Sequence, residues 1–434
     1  MSTLTKNQAT ELHKSMIGYL SLLNASKCVA VLQEELNLKD SFPKDKVKTY
    51  ARILERKWTK VSMLQKQIIK LELERDRLRS QLESASQAMT RQNRDADKWL
   101  PSDPTYTLES HRGAITCIAF HPVYSFLASG SEDCTIKLWE CEVGELERTI
   151  KGHSQSVTDL DFGGQRGNVL LASSSDDLTI KIWDPNNDYA HIRTLSGHDR
   201  CVTAVRFLRS GENRLVSASR DASIRIWDVA TGYCIRTIYS HGDWICSLSP
   251  SIDGRWLVTG GREQVATIWD VASGEAKSFL RGHNNHIECC VFAPPASYRY
   301  LAALSGFKVV PSVESHAEFV VTAGRDGTLK LWDVRGRLIK TLIGHDSWVR
   351  DLTFHPGGRY LLSVGDDCTV RCWDLLQNGR LVKTIDKAHG RFVSCIRWAP
   401  ESTNPEANEG SCASIGLRCV VGTGSTDFVI RLFK

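Results

Sequence analysis

Seven histidines, His111, His153, His198, His241, His283, His345 and His389, each stand upstream of a hydroxyl residue and an acid. Gathered in one place, such groups could hold a metal or run acid–base chemistry. The acids are Asp133, Asp177, Asp221, Glu263, Asp326, Asp367 and Asp427, and the hydroxyls are Ser129, Ser173, Ser217, Thr259, Thr322, Ser363 and Thr423. Each set ends on an aromatic, namely Trp139, Trp183, Trp227, Trp269, Trp332, Trp373 and Phe433. The acid always lies six positions before the aromatic and the hydroxyl ten. Sets that recur once per copy, rather than clustering, are structural. Indole N–H, hydroxyl, imidazole and carboxylate supply the donors and acceptors for a buried chain of hydrogen bonds.

The elements that must position these columns are short β-rich runs such as LASGSED and CTIKLW, broken by an Asp-containing tight turn. A period of ~40–45 residues with Gly-His and Trp-Asp marks predicts four-stranded blades. The fold expected over 105–434 is therefore an all-β seven-bladed propeller. The chain ends just after the seventh aromatic, so the last blade lacks an outer strand. TYTLES, Thr105 to Ser110, is expected to supply it and remove a free sheet edge.

Composition narrows the function. A net charge of +5 with 24% charged residues is too weakly basic to argue for nucleic acid. No signal core and no membrane-spanning run is present, so no membrane insertion and a cytosolic or nuclear setting are expected. The 14 cysteines are scattered without CxxC pairs, as buried thiols would be, with Cys117, Cys234 and Cys395 at strand positions. Cys368 and Cys372 suit small apolar packing. No G-x-S-x-G, P-loop, H-E-x-x-H or G-x-G-x-x-G occurs, so catalysis, cofactors and metals are not expected.

Residues 8–40 read as two short amphipathic helices, with Leu12, Met16, Tyr19, Leu20 and Leu23 at helical spacing, then Cys28, Val31, Leu32 and Leu36 after a break at Asn24. So small a pair needs a partner to bury a core. Over 54–82, steps of three and four place Leu54, Val61, Leu64, Ile68, Leu71, Leu78 and Leu82 on one seam, with Lys57 and Arg75 interrupting it. That is a coiled coil. Residues 83–104 lose the periodicity and read as a linker. Two propellers on one stalk would make a bivalent molecule.

Two variable columns point to a binding surface. Three residues after each histidine stand Ala114, Ser156, Cys201, Trp244, His286, Trp348 and Phe392, aromatic in the last four copies. Just before each turn acid stand Glu132, Asp176, Arg220, Arg262, Arg325, Asp366 and Thr426. Arginines and tryptophans dominate interface hot spots, so Arg220, Arg262, Arg325, Trp244 and Trp348 are read as a protein-binding face over blades three to six, with Arg350 in support. The alternative for Arg262 and Trp244 is that they lie flat over apolar surface. Blades five and seven carry insertions, near APPASYRYLAALSGFKVVPSVESHA and PESTNPEANEGSCASIG. The first is expected to pack on a neighbouring blade or meet a partner, and the second to be polar and disordered.

The blade pattern resembles the WD-repeat family, and the helical pair resembles the LisH dimerisation motif, with Asn24, Ala25 and Leu32 departing from it. LERKWTKVSMLQK, FHP at Phe120 to Pro122, TGYC, APPASY and GHDSWVRDLTFHPGG together resemble the lissencephaly/NudF nuclear distribution family. That resemblance implies a non-catalytic homodimeric regulator of cytoplasmic dynein. It would bind the motor domain through the propeller face, near the nucleotide-cycling module and at the stalk base. It would promote minus-end-directed microtubule transport, nuclear migration and spindle positioning, and work with a NudE-type coiled-coil protein. The implied location is cytoplasm and cytoskeleton, at microtubule plus ends and spindle pole bodies or centrosomes. Family contact positions match Arg220, Arg325 and Trp348, whereas Cys246 and Cys368 stand where relatives are basic. The alternatives are a noncatalytic acetylhydrolase subunit, or a WD-repeat receptor or scaffold in a ubiquitin ligase or corepressor complex.

Overall fold

The computed structural model describes residues 6–23, 25–35, 71, 100–165, 168–208, 213–239, 242–306, 311, 318–400 and 420–434. The chain forms two compact units, residues 1–92 and 93–434. The described part of the first is a helical pair, α1 (Lys6–Leu22) and α2 (Ser26–Glu35). Ile17 is its fully buried apolar residue, a position outside the stripe read from spacing. Leu12 (36%), Met16 (39%) and Tyr19 (36%) remain exposed with Leu23, while Leu20 and Leu32 are half-buried. The expected coiled coil, with Val61, Leu64, Ile68 and Leu78, lies outside the described residues, apart from the exposed Leu71.

In the second unit the described strands form seven four-stranded antiparallel sheets. Blade one is typical, with strands Ile115–Phe120, Phe126–Ser131, Thr135–Glu140 and Glu145–Lys151. Each innermost strand packs on the next, and the seventh on the first. The ring closes as TYTLES suggested. Tyr106–Glu109 pairs with Val429–Phe433 as the outer partner of blade seven, in the register Tyr106 to Leu432. Leu100 does not belong to a free linker. It is 1% exposed among Tyr360, Leu362, Ile385 and Phe433, and its carbonyl accepts from Lys383 Nζ at 2.7 Å. One apolar residue in a polar stretch shows no periodicity, so its burial was invisible to pattern reading.

The four polar columns converge as expected. In blade two Trp183 Nε1 donates to Ser173 Oγ at 2.9 Å, Ser173 meets His153 Nε2 at 2.7 Å, and His153 Nδ1 meets Asp177 at 2.8 Å. A carboxylate only accepts, so Nδ1 carries the proton and Nε2 takes the serine hydroxyl's. Blades one, three, five and six repeat this chain. In blade four Trp269 reaches Thr259 at 2.8 Å, while His241 lies outside the described residues. Blade seven ends in Phe433 and so lacks the indole, and its His389–Asp427 contact is 3.2 Å.

Pro295–Ser297 and α3 (Tyr298–Ser305) form the described part of the blade-five insertion. Tyr298 stacks edge-on against Phe319 at 5.6 Å. With Leu301 and Ala302 it joins a core shared with Leu361, Trp373 and Leu375 of blade six. Of the two expectations for this segment, packing on a neighbour holds. The blade-seven insertion, 401–419, lies outside the described residues. Cys117, Cys372 and Cys395 are buried thiols, while Cys234 and Cys368 are half-exposed.

Acid should unfold this ring in two windows. Burial pushes the Asp133 carboxyl up, but hydrogen bonds from Thr135, the Arg112 N–H and His111 outweigh it and hold it at about 2. Stability from such carboxylates is present above pH 3.8 and lost as pH falls through about 2. Burial lowers His121, 2% exposed, to about 4. Its neutral ring accepts from the Tyr124 N–H at 2.9 Å. That stability is complete above pH 6.5, is lost as pH falls towards 4, and amounts to about 3 kcal/mol. Thermal melts from pH 7 to pH 3 should show the first loss before pH 4, and His121→Phe should flatten that part of the profile.

Candidate functional site

The two variable columns are neighbours in every blade. The N–H of the residue before each turn acid donates to the carbonyl of the residue three after the histidine, at 2.8 to 3.0 Å in all seven. The fold thus presents a ring of paired positions whose side chains its hydrogen bonding does not specify. Blades one and two fill them with Glu132, Ala114, Asp176 and Ser156.

Blades three to six fill them differently. Arg220 lies over the Trp244 ring of the next blade, 5.1 Å from its centroid, and Arg262 lies over the same ring at 5.1 Å. Arg325 lies over Trp348 of its next blade at 4.3 Å, and Arg350 over the same ring at 5.0 Å. All six residues singled out from the sequence therefore gather into two Arg–Trp–Arg groups. Each stacking contact contributes roughly 0.5–1 kcal/mol and holds a flat guanidinium whose N–H edges can still bind carboxylates. Trp244 and Trp348 stay more than a third exposed.

The charges differ from a plain basic patch. Arg350 is held bidentate by Asp366 at 2.7 and 2.9 Å, and Glu288 bridges Arg350 (3.6 Å) and Arg325. Arg262 faces Asp243 at 3.5 Å. Arg220 has no ion pair among the described residues. Arg350 is thus a structural clamp, and the support expected from it as a free cation is not available. Cys246 lies close to Arg220, Arg325 and Glu288, and burial, with Glu288 adding to it, pushes its thiol up to about 11. Cys368 occupies the left-handed turn position after Asp367 (φ 61°).

Glu288 and Phe392 were not singled out from the sequence. Phe392 is half-exposed in the aromatic column of blade seven. Glu288 belongs to the column five after each histidine: Thr116, Thr158, Thr203, Cys246, Glu288, Arg350 and Ser394. Its signal was the change from hydroxyls to other side chains. Those hydroxyls staple blades together. Thr116 donates to the Val157 carbonyl (2.5 Å), Thr158 to Val202 (2.5 Å), Thr203 to Ile245 (2.7 Å), and Ser394 to Ile115. Blades four to six give up the hydroxyl, and two of the three replacements are the charges that set the arginines. All seven positions line a cavity of about 550 Å³ on the ring axis.

Removing Arg350 leaves Asp366 and Glu288 short of a partner, so Arg350→Ala should cost about 1–3 kcal/mol. Arg220→Ala loses only its stacking contact and should cost less than about 1 kcal/mol. Urea unfolding of the two variants side by side checks this order.

Comparison with known proteins adds two kinds of match. The family described as WD domain, G-beta repeat matches residues 102–140, 144–184, 190–228, 232–270, 274–333 and 336–374, and the one described as PAC1 LisH domain matches 6–41. The chain is 56% identical to nuclear distribution protein nudF of Aspergillus niger, covering 99% of both chains. It is 59% identical to nuclear distribution protein PAC1-1 of Uncinocarpus reesii and 56% to nudF of Emericella nidulans, again over 99% of each.

Proposed function

The chain belongs to the nudF/PAC1 family of nuclear distribution proteins, and from that premise we propose that it is a non-catalytic homodimeric regulator of cytoplasmic dynein. The propeller binds the motor domain through the face carrying Arg220, Trp244, Arg262, Arg325 and Trp348. It promotes minus-end-directed transport, nuclear migration and spindle positioning, acting in the cytoplasm at microtubule plus ends and spindle pole bodies. A NudE-type coiled-coil protein is a second partner. The observation that carries the site is the pair of Arg–Trp–Arg groups on one arc of an otherwise regular ring. Nothing in the fold's own hydrogen bonding demands those side chains. A rigid ring that favours one motor conformation shifts the motor's populations without doing chemistry itself.

Dimerisation rests on the helical pair. Leu12, Met16 and Tyr19 on α1, and Leu23 just past its end, follow one another at steps of four, three and four, and all are exposed. A stripe of this spacing is what a second helical pair covers.

Two measurements test the reading. Purified chain should bind a purified dynein motor domain saturably, and an Arg220→Ala, Arg325→Ala, Trp348→Ala triple variant that melts like a folded protein should not. Absence of wild-type binding would sink the motor reading, and undiminished binding by the variant would discard this face. In sedimentation equilibrium the wild type should run as a dimer. Met16→Glu with Tyr19→Glu should shift it towards monomer by burying charge in the stripe, and an unshifted dimer would remove α1 from the interface.

A further inference from the structure

A second asymmetry lies on the opposite part of the ring from the tryptophan arc, between blades one and two. A cleft of about 570 Å³ opens there, lined by Ser110, Arg112, Lys137, Thr149 and Lys151 beside Asp133. Lys137 is 8% exposed, and its Nζ has one hydrogen bond, to Thr149 Oγ1 at 3.0 Å. Arg112 and Lys151 are exposed, and neither has a side-chain ion pair among the described residues. Asp133 offsets one of these charges, but both its oxygens are already engaged. One of its oxygens accepts from the Thr135 N–H (2.9 Å) and hydroxyl (2.6 Å), and the other from His111 (2.8 Å) and the Arg112 N–H (2.9 Å). Three cations therefore surround one carboxylate whose oxygens are already engaged, which leaves the cleft net positive.

The fold does not require this. Blades two and five keep the floor lysine on its threonine, Lys181 to Thr194 at 3.0 Å and Lys330 to Thr341 at 3.3 Å. Their counterparts of Arg112 are Ser154 and Asn284. Register places Ser196 and Ile343 where blade one has Lys151, because Thr135 pairs with Lys151, Thr179 with Ser196 and Thr328 with Ile343. The basic rim belongs to blade one alone among the three blades that share the lysine floor.

We propose that this cleft binds a phosphoryl group, either as a free phosphate anion or carried on a phosphorylated side chain. A tetrahedral dianion matches the chemistry on offer. Lys137 has two N–H donors left, Arg112 can bind two oxygens at once, and Ser110 adds a hydroxyl. Burial and the neighbouring Arg112 and Lys151 lower the Lys137 pKa against the pull of Asp133, and a bound anion relieves that cost.

Isothermal titration of the full chain, at constant ionic strength, tests this with inorganic phosphate, acetyl-phosphoserine-amide and acetyl-serine-amide. Both phosphoryl compounds should bind saturably and the serine compound should not. Arg112→Gln with Lys151→Gln, both exposed and free to change without unfolding, should weaken binding about tenfold or more. Lys181→Gln in blade two should leave it unchanged. Phosphoserine binding much tighter than phosphate assigns a side-chain-borne ligand, and equal binding assigns the free anion. No saturable phosphate binding up to about 10 mM, or equal binding by the double variant, overturns the proposal.

Discussion

Everything in the ring depends on one buried relay, from indole to hydroxyl to imidazole to carboxylate. In blades one, two, three, five and six it ties the loop that enters the blade to the turn at its far hairpin and to the strand that carries the tryptophan. The relay uses each group's donors and acceptors in a single direction, which sets the histidine tautomer and keeps the carboxylate ionised. Groups that resemble catalytic machinery are consumed by architecture. An imidazole whose two nitrogens are both engaged inside the blade has nothing left for a substrate or a metal.

Because the relay holds each loop from within, the residues beside it are free to vary. The pair of positions next to every turn acid is joined through the backbone, so the blade does not dictate its side chains. Blades three to six use that freedom for stacked arginine and tryptophan. The same arc departs from the rest of the ring on its inner wall. Blades four to six lack the hydroxyl that elsewhere staples one blade to the next, and Glu288 and Arg350 there hold the arginines in place. Other contacts join these junctions: Ser247 Oγ accepts from the Cys290 N–H at 3.1 Å, and Asp351 from the Ile396 N–H at 2.9 Å. Helix α3 adds an apolar brace between blades five and six. The surface read as functional is thus the part of the ring held together least uniformly.

The repeated fold was legible because identical physical demands recur seven times in fixed register, so chance matches cancel and required ones remain. Strand order and ring closure followed from counting strands against aromatics. The candidate arginines and tryptophans were legible for the converse reason, as positions where repetition fails. Leu100 and Ile17 were not legible, since each is a single apolar residue whose burial depends on contacts without a sequence period. Glu288 was hidden in the same way, as an acid whose meaning comes from two arginines 37 and 62 positions away.

By itself the sequence determined the repeat, the relay, the closing strand and the two variable columns, because all of these are set by local spacing along the chain. Only the tertiary structure decided which cations are spent and which are free. Arg350 and Arg220 look alike as letters, yet Asp366 and Glu288 clamp one while the other lies over the face of Trp244 with no ion pair among the described residues. Ion pairing of this kind is a matter of distance between side chains on different strands and blades, and spacing along a strand carries no record of it.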